Sequence, residues 1–235
     1  MGNFRIALTA GHYKYTAGKR CLKSLDPNET REWVLNDRIA DRVERLLKEN
    51  YTGYELIRTD DTTGEKLVSL NSRTTAANNF KADFYLSIHH NAGINGGKGG
   101  GIVAITYTNC DSESLAWQTA LYNSLISYTG LKGNRATPLS KMNLAEVRDT
   151  KMPSVLLELG FMDSATDVPI ILSADYAEKC AKAIVEVIAT KCKLVKASKQ
   201  LHRIQLGAFE NRANAEAMLE KVKKAGFTDA FIKTE

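Results

Sequence analysis

Three of the four histidines in this 235-residue chain stand at the ends of apolar runs. His89 and His90 close Phe84-Tyr85-Leu86-Ser87-Ile88, and His12 follows Phe4 to Ala10 after a single glycine, Gly11. Runs of this kind form buried strands. Open α/β sheets build their active sites from polar groups at the C-terminal ends of such strands. Neutral imidazole is a common metal ligand, so two strand-end histidine positions in one domain point to a metal site. A third apolar run, Ser154-Val155-Leu156-Leu157, closes on Glu158, and a carboxylate there is costly unless it is paired or faces a metal. Glu32 is the remaining candidate. It opens a helical stretch whose apolar face is Leu35, Ile39, Val43, Leu46 and Leu47, and its spacing puts it on the buried side of the first turn. There it can serve as a partner for the helix dipole, which the spacing alone favours, or as an oxygen ligand to a metal.

Other chemistries are poorly supported. Cys21, Cys110, Cys180 and Cys192 show no CxxC spacing, which argues against a cysteine zinc site and a disulfide framework. Cys180 and Cys192 share one expected helix at a separation of roughly 18 Å, too far for a disulfide. Gly93 to Gly101 is glycine-rich but lacks the GK[ST] ending of a phosphate loop and leads into a strand, so nucleotide binding is discounted. There is no GxSxG serine elbow.

These candidate residues need an α/β scaffold, and the pattern supplies one. Expected strands are Phe4–Ala10, Tyr54–Arg58, Phe84–Ile88, Ile102–Tyr107 and Ser154–Glu158. Expected helices begin near Glu29 to Glu32 and cover Leu70–Phe80, Ser112–Tyr128 and Asp175–Lys191, with Gly130–Ala145 irregular. The fold class is therefore α/β: a twisted, mostly parallel sheet flanked by helices. Residues 1–192 read as the catalytic domain, 193–200 as a lysine-rich linker and 201–235 as a small βαβ-type unit. In that unit a helix over Asn211–Ala225 lies between strands at His202–Phe209 and Thr228–Lys233. With 43% hydrophobic and 25% charged residues the composition is that of an ordinary globular protein. No apolar run approaches the ~20 residues of a membrane span. Of the net charge of +5, +4 lies from Lys193 onward, which suits an anionic partner such as nucleic acid or an anionic cell wall.

Five segments, in order, carry a family likeness: Gly11-His12; Glu32 with Asn36 and Ile39-Ala40; Leu70, Arg73, Ala77-Asn78 and Ala82-Asp83; Ser87-Ile88-His89-His90-Asn91-Ala92; and Met152 through Phe161. Together they resemble the zinc-dependent N-acetylmuramoyl-L-alanine amidases of the Amidase_3 family, across roughly Phe4 to Ile188. The resemblance implies Zn2+ held by His12, Glu32 and His89, with Glu158 as the catalytic carboxylate. The implied reaction is hydrolysis of the amide between N-acetylmuramic acid and L-alanine in peptidoglycan, with no nucleic-acid or membrane partner. Arg203 to Phe209 with Ala213, Ala215 and Ala225-Gly226-Phe227 is similar to the start of a SPOR module, which implies wall binding by the C-terminal unit, by a monomer or by a dimer pairing two half-modules. Two departures from the family pattern stand out: Tyr13-Lys14-Tyr15 replaces a glycine-rich stretch, and His90 occupies a position that is often alanine. The alternatives are a zinc carboxypeptidase of similar fold and a non-catalytic wall-binding protein. Met1 to Arg5 enters the first strand with no visible signal peptide, so the expectation is a cell-wall enzyme that is cytoplasmic until release, as an endolysin is, or exported by another route.

Overall fold

The computed structural model describes residues 2–198 and 204–234. In chain order its elements are β1 (Phe4–Ala10), α1 (Glu32–Asn50), β2 (Tyr51–Thr52), β3 (Tyr54–Arg58), α2 (Leu70–Phe80), β4 (Phe84–Asn91), β5 (Ile102–Thr106), α3 (Ser112–Thr129), β6 (Leu139–Lys141), α4 (Ala145–Arg148), β7 (Ser154–Phe161), α5 (Val168–Ile171), α6 (Ala174–Lys191), β8 (Val195–Lys196) and α7 (Arg212–Lys224). The chain divides into two compact units, Met1–Ala197 and Ser198–Glu235.

The first unit is built on a six-stranded sheet of order β3-β1-β4-β7-β5-β6. Neighbours from β3 through β7 are parallel, β5 runs antiparallel to β7, and β6 is parallel to β5. Side chains on a strand alternate between faces, and both faces are covered here. Ile6 and Leu8 of β1, Phe84, Leu86 and Ile88 of β4, and Val155, Leu157 and Leu159 of β7 enter one large core with the apolar sides of α1, α3 and α6. Within that core the Trp117 ring stacks on Phe84, centroids 3.8 Å apart. The opposite face carries Ala7 and Tyr85 under α2, and Leu156, Val103 and Ile105 against Val147 of α4. Burial on both faces explains why the central strands read as continuous apolar runs.

Helix starts follow local chemistry. The side chains of Ser69, Asp111 and Ser173 each accept a hydrogen bond from a backbone N–H at the start of α2, α3 and α6. Helix α1 has no such cap; its first residue is Glu32.

This topology fixes where a site can form. From β1 the chain passes through α1 to β3 on one side, then returns through α2 to β4 on the other side of β1. The sheet order therefore reverses between β1 and β4, and ligand crevices of α/β sheets open at the C-terminal ends of two such strands.

Three details differ from the sequence reading. Two strands run past their expected ends: β4 through His89 and His90 to Asn91, with a register irregularity between His89 and Asn91, and β7 through Glu158 to Phe161. The stretch expected to be irregular before residue 145 contains β6. Val195–Lys196, expected in the linker, pairs with Tyr51–Thr52 as part of the first unit.

The second unit contains α7, capped by the Asn211 side chain, which accepts from the Ala213 N–H at 2.8 Å. The strands expected over His202–Phe209 and Thr228–Lys233 do not appear: residues 204–209 and 228–233 form no strand, and His202 and Arg203 lie outside the described residues. Ile204, Leu206 and Phe231 are exposed, so the apolar sides of these alternating patterns are not buried. Among the described residues no helix is long and apolar enough to cross a membrane.

Candidate metal centre

His12, Glu32 and His89 converge at the reversal point, each offering one ligand atom with all three within 4.8 Å of one another. Glu158, aligned with His89 across the β4–β7 ladder, stands at the same end of the sheet.

His12 follows β1 in a left-handed backbone conformation, φ 67°, which non-glycine residues seldom adopt. Buried Arg73 of α2 holds it there. Its guanidinium donates to the carbonyl of Ala10 at 2.6 Å, the carbonyl of His12 at 2.7 Å and Thr9 Oγ1 at 2.7 Å. Gly11 lies flat against the His89 ring, and a Cβ at position 11 would fall on the imidazole itself.

Glu32 is fully buried. Its Oε1 is 3.0 Å from His89 Nδ1 and accepts from the His90 backbone N–H at 3.2 Å. Its Oε2 lies 3.2 Å from His12 Nε2 and 3.6 Å from Lys19 Nζ, yet makes no aligned hydrogen bond. Burial pushes the Glu32 carboxyl up, but the two imidazoles outweigh it and hold the group well below the usual carboxylate range.

His89 and His90 separate as strand alternation requires. The His89 ring faces Glu32 on one side and Glu146 on the other, with Nε2 3.1 Å from Glu146 Oε2. Burial lowers the basicity of His89, and the two carboxylates more than reverse that. The His90 ring turns to α1, with Nδ1 2.8 Å from Asn36 Oδ1, and burial lowers its pKa to about 3. His90 lies outside the three-residue cluster.

Glu158 Oε2 is buried without a hydrogen-bond partner. Burial drives its carboxyl up to about 7, with the charge of nearby His89 opposing and that of Glu32 reinforcing the rise.

The donor set fits a divalent zinc ion. Two imidazoles and one carboxylate are the protein ligands of a hydrolytic zinc site that keeps an open position. The unbonded Glu32 Oε2, buried opposite an imidazole nitrogen, is what a shared cation would satisfy.

Sequence reasoning overlooked Glu146. It lies on the four-residue helix α4, too short to show a periodicity, and the one available signal is a glutamate set beside Val147 just ahead of a buried strand. The Tyr13-Lys14-Tyr15 segment beside His12 is anchored by Glu65, which binds both Lys14 Nζ and the Tyr15 hydroxyl.

An α/β sheet that brings two imidazoles and a carboxylate together at its topological switch point offers a candidate metal centre. The chain belongs to the Amidase_3 family of N-acetylmuramoyl-L-alanine amidases: residues 6–190 match that family, and residues 196–235 match the SPOR domain. It is 29% identical over 203 residues to the sporulation-specific N-acetylmuramoyl-L-alanine amidase of Bacillus subtilis, covering 85% of this chain and 75% of that protein. It is 28% identical over 170 residues to the N-acetylmuramoyl-L-alanine amidase CwlM of Bacillus licheniformis, covering 72% of this chain and 64% of the relative. The crystal structure of an N-acetylmuramoyl-L-alanine amidase from Clostridium difficile 630 shares the fold, with TM-score 0.73 and 22% identity over 82% of this chain and 98% of that one.

Proposed function

We propose that His12, Glu32 and His89 hold one zinc ion and that Glu158 is the proton-transfer group in hydrolysis of the amide between N-acetylmuramic acid and L-alanine. The convergence of three donors within 4.8 Å around a buried, unbonded carboxylate oxygen carries this reading. Zinc bound there would supply a Lewis acid and make water acidic enough to react near neutral pH. Glu158 would take a proton from the attacking water at its unpartnered oxygen and deliver it to the leaving amine of L-alanine. In the metal-free protein burial already raises this carboxyl to about 7. Lys19 Nζ, half-exposed, lies 3.6 Å from Glu32 Oε2 at the edge of the site. The direct test is metal content together with release of L-alanine-linked peptide from a soluble muropeptide. A purified protein that binds no zinc, or that cuts a peptide bond instead of this amide, would refute the reading.

Gly11→Ala is expected to lose most of its zinc, because the new methyl displaces the His89 ring. Second-sphere disturbances of metal ligands cost about 10–100-fold in affinity, and a displaced ligand should cost at least that. Zinc retained after dialysis against a weak chelator is the measurement.

The segment matching the SPOR domain is proposed to tether the enzyme to peptidoglycan. Truncation after Ala197 keeps the β2–β8 pair and is expected to leave hydrolysis of a soluble muropeptide intact while weakening co-sedimentation with insoluble walls. Loss of soluble-substrate activity in a folded truncation would contradict this division of labour.

A further inference from the structure

The proton-transfer scheme uses His12, Glu32, His89 and Glu158 and leaves one buried carboxylate beside them unused. Glu146 is 4% exposed. Its Oε2 lies 3.1 Å from His89 Nε2, its Oε1 accepts from the Tyr85 hydroxyl at 2.9 Å, and Arg73 Nη1 stands 4.0 Å from Oε1. Tyr85 and His89 lie four residues apart on β4, so strand alternation turns both to the α4 face.

We propose that Glu146 is a positioning residue for the metal site: it takes the Nε2 hydrogen of His89 and so leaves the Nδ1 lone pair free toward Glu32 and the metal. The proposal rests on the zinc reading above. Its logic is that of an imidazole with two distinguishable nitrogens. A ring that donates from one nitrogen presents a lone pair at the other, and the hydrogen bond fixes both tautomer and ring orientation. Metal-bound histidines commonly donate in this way to a carboxylate.

Two further observations separate Glu146 from an ordinary buried charge. Its partner Tyr85 donates to the second carboxylate oxygen, which fixes the carboxylate plane and aims Oε2 at the ring. Its neighbour Arg73 also grips the carbonyls of Ala10 and His12. Glu146 and Arg73 therefore support the two histidines from the same side of the sheet, one through its ring and the other through its backbone.

The test uses the full chain, as wild type, Glu146→Gln and Glu146→Ala. For each, zinc affinity is measured by competition with a chromophoric chelator, the cobalt-substituted absorption spectrum is recorded, and the melting temperature is taken. Glu146→Ala is expected to bind zinc about 10–100-fold more weakly than wild type. Glu146→Gln keeps an acceptor oxygen without its charge and is expected to fall between the two. Both variants are expected to shift the cobalt spectrum, since His89 is reoriented. Wild-type zinc affinity and an unchanged cobalt spectrum in Glu146→Gln, whatever its melting temperature, would overturn the proposal and leave Glu146 a structural partner of Arg73 and Tyr85. The Gln variant decides this even where the Ala variant fails to fold. A wild-type protein that binds no zinc takes down the zinc reading and the proposal together, an outcome distinct from a zinc-binding wild type with indifferent variants.

Discussion

Glu158→Gln is expected to lose at least about 10²-fold in kcat, and up to about 10⁴-fold, while its zinc content stays at the wild-type level. The argument starts from cost. A carboxylate on a strand in the middle of a sheet, with one oxygen buried and unbonded, is expensive to keep ionised, and burial accordingly raises its pKa to about 7. Glutamine has the same shape and polarity but cannot accept the proton of an attacking water. The loss should therefore fall on kcat, with substrate binding little changed. Stability provides an independent check in metal-free protein. A carboxyl raised from 4.5 to about 7 binds more protons folded than unfolded between those values, so it makes stability fall as pH rises through that window. Glu158→Gln has no such ionisation, and its stability should be flatter there and no lower than wild type at pH 8. Near-normal turnover in this variant would place the proton acceptor elsewhere. Loss of zinc would make Glu158 a ligand.

What the sequence disclosed depended on how much periodic signal each residue had around it. Phe84–Ile88 and Ser154–Leu157 are buried on both sheet faces, so their apolar runs were plain, but the strands run on past the polar residues that close those runs, to Asn91 and Phe161. Glu32 was harder. Its position on the inner side of α1 was readable from spacing, yet spacing equally suited a dipole partner, and only the fold brings its carboxylate 3.0 Å from His89 Nδ1. Glu146 and β6 had too little sequence around them, since a four-residue helix and a three-residue edge strand show no period. The alternating run through Ile204 and Leu206 misled for the opposite reason: alternation reports a strand only where a neighbour accepts its backbone hydrogen bonds and apolar face, and these side chains are exposed.

The separation of His89 from His90 shows how closely chemistry follows strand parity. A one-residue slip of β4 would exchange the two rings between Glu32 and Asn36. Two features oppose that slip: the buried alternation of Phe84, Leu86 and Ile88 against the α1 face, and Gly11, whose missing side chain leaves the space that the His89 ring fills. The departure at His90 is accommodated because Asn36 meets its Nδ1, and the backbone N–H of His90 is itself a partner of Glu32. The second imidazole thus supports the cluster through its main chain while its ring packs toward α1.

Removal of the metal is expected to abolish amide hydrolysis and leave a folded protein. Chelation takes away the Lewis acid, for which no side chain here substitutes: Lys19 is the nearest cation to Glu32 after the imidazoles, and at 3.6 Å it is held by that carboxylate. The fold should persist because the ligands have partners of their own. Glu32 keeps His89 and the His90 N–H, His89 keeps Glu146, and the His12 backbone keeps Arg73. The core of the first unit, from Ile6 through Ile188, does not pass through the metal site. This differs from small zinc domains, where metal binding and folding are one event. Activity should return on addition of zinc, and rebinding should weaken as pH falls, because the carboxylate-flanked His89 must give up its proton to become a ligand. His12→Ala should reproduce the chelated state permanently, with zinc addition restoring little. The measurements are turnover of a soluble muropeptide, zinc stoichiometry and melting temperature before chelation, after it and after zinc is returned. Full activity in metal-free protein, or stoichiometric tight zinc in His12→Ala, would remove His12, Glu32 and His89 from the role assigned to them.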